Sequence, residues 1–189
     1  MTHVSVFAGM LRRVSKSSHP VWVELVQVVP VISLALPFIV RGEVELARAA
    51  SGFLIGAVLF VIVSWLVVRR RAVLNPILVG TGVWLVLGAL AFNVPVEFLA
   101  SNLSATQGFS LFVVIVVVGL VATFTSTTGF IGYPRNDEAW VRRRSLVLLA
   151  LAVAATAWAY RFRSDIRLGG GLPFVVLNVA RRILIRRAA

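Results

Sequence analysis

A long uncharged stretch in the second half of the chain constrains its fold more than any other feature. Residues 98–134, 37 in all, carry no formal charge, and nearly every residue from Ser110 to Val121 is apolar. A soluble domain of this size has no need of such a run, whereas a helix needs about 20 apolar residues to cross a bilayer. Similar runs recur along the chain, bounded by arginines. The sequence therefore predicts an integral membrane protein that crosses the bilayer several times.

Composition and charge agree with a membrane location. Hydrophobic residues make up 59% of the chain, against about 45 to 50% in ordinary globular domains. The net charge of +12 is a feature of nucleic-acid binders too, but those proteins gather their basic residues on one continuous face. Here the basic residues form clusters between apolar runs. We therefore expect no nucleic-acid partner, and arginines that mark cytoplasmic loops and contact anionic lipid headgroups.

The apolar runs predict an all-α, polytopic transmembrane helical bundle in which six spans are favoured. The membrane bundle would occupy residues 21–167, after a basic cytoplasmic segment at residues 1–20. Five runs have the roughly 17 to 25 residues that a span requires, and they cover residues 21–40, 52–68, 72–92, 108–131 and 145–161. Residues 168–189 would form a short sixth span, a re-entrant helix or an interfacial basic helix with a tail.

The distribution of basic residues favours the even number of spans. With a cytoplasmic amino terminus and six spans, 14 of the 19 basic residues lie on the inner side. Five spans would divide them 10 to 9, without the positive-inside bias of membrane proteins. Arginine outnumbers lysine 18 to one, which fits GC-rich codon usage. We therefore predict a multi-pass protein of a bacterial inner membrane with its amino terminus in the cytoplasm.

Five polar residues in or beside the predicted spans are candidates for an intramembrane site. Glu24 is the only acid within a span, and Gln27 lies on the same helical face. Asn75 opens the third span, and Thr123 and Thr127 belong to a hydroxyl cluster at the end of the fourth. These groups could line a proton or cation path. Alternatively, Glu24 lies near the headgroups and pairs with an arginine, and the hydroxyls bond to their own helix backbone.

Small residues in the second and third spans allow two interpretations. Gly80, Thr81 and Gly82 loosen helical hydrogen bonding, as in the discontinuous helices of carriers, or they permit close helix packing. Gly52 and Gly56 have the GxxxG spacing of packed membrane helices. Packing is the favoured interpretation.

Arginine clusters are the candidate contact sites for lipid or protein. They are Arg142, Arg143 and Arg144 before the fifth span and Arg181 and Arg182 in the last segment. Guanidinium groups bind phosphate in a bidentate manner. We expect them to contact anionic lipid headgroups, a membrane-protein partner or a second copy of the chain.

The residues that catalysis or metal binding would require are scarce. Cysteine is absent, and the two histidines, His3 and His19, both lie in the amino-terminal segment. No nucleophile with a base and no pair of carboxylates is visible in the spans. We therefore predict no enzymatic activity, no metal and no cofactor. Two functions remain: a non-enzymatic scaffold, assembly or envelope-maintenance factor, or a small ion-coupled carrier or channel with a polar path around Glu24.

Overall fold

The computed structural model describes residues 26–31, 46–70, 72–94, 97–163 and 167–186. These ranges contain helices and turns but no strand, so the prediction of an all-α helical bundle is confirmed for them. Besides a helical segment at residues 26–31 there are five helices, which are α1 (Leu46–Arg69), α2 (Pro76–Asn93), α3 (Glu97–Thr125), α4 (Glu138–Arg161) and α5 (Leu172–Arg186).

Five segments of these helices are long and apolar enough to cross a membrane. They are Ala50–Arg69, Pro76–Asn93, Gly108–Thr125, Glu138–Arg161 and Leu168–Arg186. The last includes the segment for which the sequence left a span, a re-entrant helix or an interfacial helix open. The predicted first span, residues 21–40, lies largely outside the described residues. The chain is thus a multi-pass membrane protein.

Several helix boundaries differ from the predicted spans, and two of them lie at the connection between α3 and α4. Helix α3 ends at Thr125 rather than at residue 131, and α4 begins at Glu138 rather than at residue 145. Helix α4 begins where it does because the Asp137 carboxylate caps it, accepting a hydrogen bond from the backbone N–H of Trp140 at 2.9 Å. Residues 126–137 therefore form one connection of twelve residues. The sequence had assigned the first six of them to the end of a span and the others to the loop that follows it.

Helix α2 is the central helix of the described bundle, since 11 of its 18 residues are buried. Helices α1 and α3 flank it, and glycines make the close approach possible. A Cβ on Gly80 would lie 2.9 Å from the Ile115 Cα atom, and a Cβ on Gly82 would overlap the Phe60 ring. The favoured interpretation of these two glycines as packing residues is confirmed.

The outer faces of the helices are apolar. Side chains such as Leu54, Val61, Val117 and Val153 are largely exposed. A water-soluble monomer rarely exposes so much contiguous apolar surface, whereas helices that face lipid do so as a rule.

The glycine triplet at residues 169–171 forms a π-helical turn that leads directly into α5.

Arginines gather at one end of the bundle. Gly132 packs against Pro76 at the start of α2, and Arg181 near the end of α5 bonds to Ile131. The start of α2, the connection after α3 and the end of α5 therefore lie together. We call this the arginine-rich end, and its exposed or half-buried arginines are Arg69, Arg70, Arg135, Arg142, Arg143, Arg144, Arg182 and Arg186.

Candidate functional site

The connection after α3 folds back into the bundle. Phe130 and Ile131 are fully buried, with 0% of their surface exposed. A Cβ on Gly119 would lie 2.8 Å from the Phe130 ring, and a Cβ on Gly132 would lie 2.6 Å from Pro76. Because Gly119 precedes the end of α3 by six residues, the Phe130 ring reaches back past more than one turn of that helix. We call residues 126–133 the re-entrant loop.

The local sequence explains this path. Gly129 and Gly132 have φ values of 58° and 61°, in the left-handed region that favours glycine. A Cβ on Gly129 would also overlap the Ser145 hydroxyl. Before these glycines, the Ser126 Oγ accepts a hydrogen bond from the Thr128 backbone N–H at 3.2 Å. Such side-chain bonds offer the backbone an alternative to the helix, so α3 ends at the hydroxyl cluster.

A buried arginine bonds to the re-entrant loop. Arg181 is 7% exposed, and its Nε donates to the Ile131 carbonyl oxygen at 2.8 Å. The Ile131 N–H points to the Ser145 Oγ at 3.4 Å. Both backbone groups of Ile131 are therefore bonded to side chains of the last two helices. Non-helical backbone is tolerated at membrane depth only when such partners or water satisfy it.

The two arginines of α5 have different environments. The sequence grouped Arg181 with Arg182 as a lipid or partner contact, but the structure buries Arg181 inside the bundle and exposes Arg182. The burial follows from helical spacing, because Pro173, Leu177 and Arg181 lie four residues apart on one buried face. That spacing was a signal available in the sequence.

Gln27 and Asn75, two of the predicted site residues, are joined. The backbone N–H of Asn75 donates to the Gln27 Oε1 at 2.8 Å, and each residue is only 6% exposed. The Asn75 Oδ1 in turn accepts from the Ile77 N–H at 3.1 Å and caps α2. Pro76 follows at the first helical position, where a missing N–H costs nothing. The side-chain oxygens of this pair are thus used to start α2.

The other predicted polar residues have separate environments. Thr123 is buried, and its hydroxyl donates to the Gly119 carbonyl of its own helix at 2.7 Å. Thr127 is exposed in the turn after α3. Glu24 lies outside the described residues. Thr125 also bonds within its own helix, at 2.8 Å from the Val121 oxygen, as one of the two interpretations of the hydroxyl cluster expected.

Aromatic rings position the arginines at the surface. The guanidinium carbon of Arg135 lies 4.6 Å from the centre of the Trp140 ring, and that of Arg144 lies 5.5 Å from the same ring. Arg142 stacks on Phe124, with 5.0 Å between the guanidinium carbon and the ring centre. These distances are typical of cation–π pairs. The stacking holds positive charge at the edge of the bundle instead of leaving it on mobile side chains.

The described residues contain no group of three histidines, aspartates and glutamates placed to hold a metal ion. The arrangement that they do contain combines interior hydrogen bonds, which leave only the Ser64 hydroxyl among the described buried side-chain groups without a partner, with a cationic surface. No protein family, curated protein or solved structure matches this chain.

Proposed function

We propose that the protein is a non-enzymatic scaffold, assembly or envelope-maintenance factor of a bacterial inner membrane, acting through its arginine-rich end. One observation carries the proposal: the described polar groups in the bundle interior, except the Ser64 hydroxyl, bond to other groups of the same chain. Most of the described arginines, in contrast, lie outside at one end. A surface with such charge is suited to binding an acidic partner or membrane surface.

The interior bonds argue against a solute path through the described helices. Polar side chains that carry ions expose their oxygens to a cavity. Here the Gln27 and Asn75 oxygens accept backbone N–H groups, and the hydroxyls of Thr81 and Thr123 donate to carbonyls one turn earlier. These contacts stabilise the ends and the packing of helices, so a structural role accounts for them.

The surface arginines support a contact role. Arg142 and Arg143 are exposed at the start of α4, and Arg144 is half-buried beside them. The only acids nearby in the sequence are Asp137, which caps the helix, and Glu138. The start of α4 therefore presents an excess of positive charge that an acidic partner can neutralise.

A second candidate function, the small ion-coupled carrier or channel, is favoured by the re-entrant loop. Broken or non-helical segments buried between helices are common at the ion and substrate sites of membrane carriers. The loop lies beside the start of α2, where Gln27 and Asn75 meet. In this proposal Glu24 would supply the charge that couples to the ion.

Co-purification in mild detergent from the native membrane tests the scaffold proposal. Wild-type protein would be compared with a variant carrying Gln at Arg142, Arg143 and Arg144. The matched control carries Gln at Arg161 and Arg163, which lie at the opposite end of α4. We expect a protein in stoichiometric amount that the first variant loses and the control retains. Recovery of the chain alone, or of a partner that all three proteins retain, would overturn the proposal.

A further inference from the structure

We propose that Trp140, Arg135 and Arg144 form a binding site for the phosphate of an anionic phospholipid headgroup. The inference deepens the proposed function, on which it rests for the orientation of the arginine-rich end toward the cytoplasmic leaflet. It assigns to that end a specific lipid site, which we call the Arg–Trp–Arg site, in addition to any protein contact.

The geometry of the Arg–Trp–Arg site brings two positive charges to one ring. Both guanidinium carbons lie within 6 Å of the Trp140 ring centre, Arg135 at 4.6 Å and Arg144 at 5.5 Å. Two like charges beside one ring repel each other, and more strongly in the low dielectric of a membrane interface than in water. The single negative charge of a phospholipid phosphate offsets part of this repulsion, and its oxygens match the paired N–H groups of guanidinium.

The protein fixes the ring before any ligand binds. The Trp140 side chain is half-buried and packs against the core, while its backbone N–H is bonded to the Asp137 carboxylate at 2.9 Å. Residues 135–144 carry four arginines against two acids, so the segment keeps an excess of positive charge. Little ordering is required of the ring when a headgroup binds.

The depth of the site favours a lipid ligand. Ser145 lies beside the buried Ile131, and Trp140 precedes Ser145 by five residues on α4. At 1.5 Å per residue, Trp140 is about 7.5 Å nearer than Ser145 to the start of α4, at the arginine-rich end. Arg142 stacks on Phe124, in the last turn of α3, at the same end. Tryptophan is enriched at the headgroup level of membrane proteins, where phospholipid phosphates lie.

Lipid retention measured by native mass spectrometry tests the site. The protein would be purified in detergent and mixed with dioleoylphosphatidylglycerol or with zwitterionic dioleoylphosphatidylcholine. We expect wild-type protein to retain the anionic lipid preferentially, and the double variant Arg135→Gln, Arg144→Gln to lose about tenfold in that preference, as expected for the loss of about 1.4 kcal/mol of binding free energy. The control is Arg163→Gln, which removes a similar arginine–aromatic pair, with Tyr160, at the opposite end.

A second variant tests the site even if the double variant does not fold. Arg135 is exposed and lies outside any helix, so Arg135→Gln alone changes no helical residue. We expect it to lose part of the same preference. Unchanged retention of the anionic lipid in a folded variant would overturn the proposal. So would displacement of the lipid by millimolar inorganic phosphate, because the site would then bind the free ion.

The experiments distinguish failure of the lipid site from failure of the scaffold proposal. Loss of anionic lipid in the Arg135 and Arg144 variants with the protein partner retained would support the lipid site and leave the scaffold standing. A partner that binds through Arg142 and Arg143, together with equal retention of both lipids by the wild type, would overturn the lipid site alone.

Discussion

The Nε atom of Arg181 donates a hydrogen bond to the carbonyl oxygen of Ile131, 50 residues earlier, at 2.8 Å. This bond joins the last helix to the re-entrant loop inside the bundle. The two residues are 7% and 0% exposed, so water has little access to replace the bond. The arginine therefore satisfies a carbonyl that no helix can satisfy, and this accounts for a buried guanidinium within a span.

Arg181→Ala should destabilise the protein. The substitution leaves the Ile131 carbonyl unpaired and removes packed side-chain atoms, and a buried unsatisfied group costs about 1 to 3 kcal/mol. A lower midpoint of thermal unfolding in detergent would show the effect. Arg182→Ala is the matched control, because its side chain is exposed on the same helix. Equal midpoints for the two variants would contradict the role given to Arg181.

Gln27→Leu should also lower stability. Leucine has a similar volume but cannot accept the Asn75 N–H, which would be left buried without this partner at the start of α2. The expected loss is about 1 to 3 kcal/mol in the free energy of unfolding. Asn178→Leu serves as a control, because the Asn178 amide donates only to the Phe174 carbonyl of its own helix among the bonds described. If Asn178→Leu loses as much free energy of unfolding as Gln27→Leu does, the stabilising role given to the bond between Gln27 and Asn75 is contradicted.

Gly82→Ala should disturb the contact between α1 and α2. The added Cβ would overlap the Phe60 ring, and overpacking of this kind typically costs about 1 to 3 kcal/mol. Gly171→Ala is the control, since a Cβ there meets no atom within 4 Å and the φ angle is not positive. Thermal unfolding in detergent would distinguish the two. A stable Gly82→Ala protein would mean that the helices are not packed as described.

Thr123→Val and Glu24→Gln together separate the two proposed functions. The Thr123 hydroxyl bonds only to its own helix among the described bonds, so the scaffold proposal predicts that Thr123→Val has wild-type stability and partner binding.

The scaffold proposal also predicts that proteoliposomes conduct no more protons or alkali cations than empty vesicles do. Protein-dependent ion flux that Glu24→Gln abolishes would instead establish the carrier.

The places of most of the described helices could be predicted because they depend on composition alone. Apolar runs of the required length, bounded by arginines, predicted the regions of α1 to α4, whereas for residues 168–189 the sequence left a short span, a re-entrant helix or an interfacial helix open. The end of α3 was harder to predict, because Phe130 and Ile131 are as apolar as the helix before them. Gly129 and Gly132 were the available signal that the helix had already ended.

The polar contacts could be predicted only in part. Gln27 and Asn75 were placed in one candidate site, and the structure joins them across 48 positions of sequence. The burial of Arg181 was not foreseen, because an arginine near a predicted span end is ordinarily directed toward the headgroups. Its partner is a backbone carbonyl of a distant loop, and sequence patterns do not reveal which loop folds back.

Single-cysteine labelling tests the central claim, that one arginine-rich surface faces the cytoplasm. The chain has no cysteine of its own, so each substitution provides the only thiol. Thr127→Cys lies at the arginine-rich end and Arg163→Cys at the opposite end, and both positions are exposed. In right-side-out spheroplasts, a membrane-impermeant maleimide should label Arg163→Cys and should reach Thr127→Cys only after permeabilisation. Labelling of Thr127→Cys in intact spheroplasts would contradict the account.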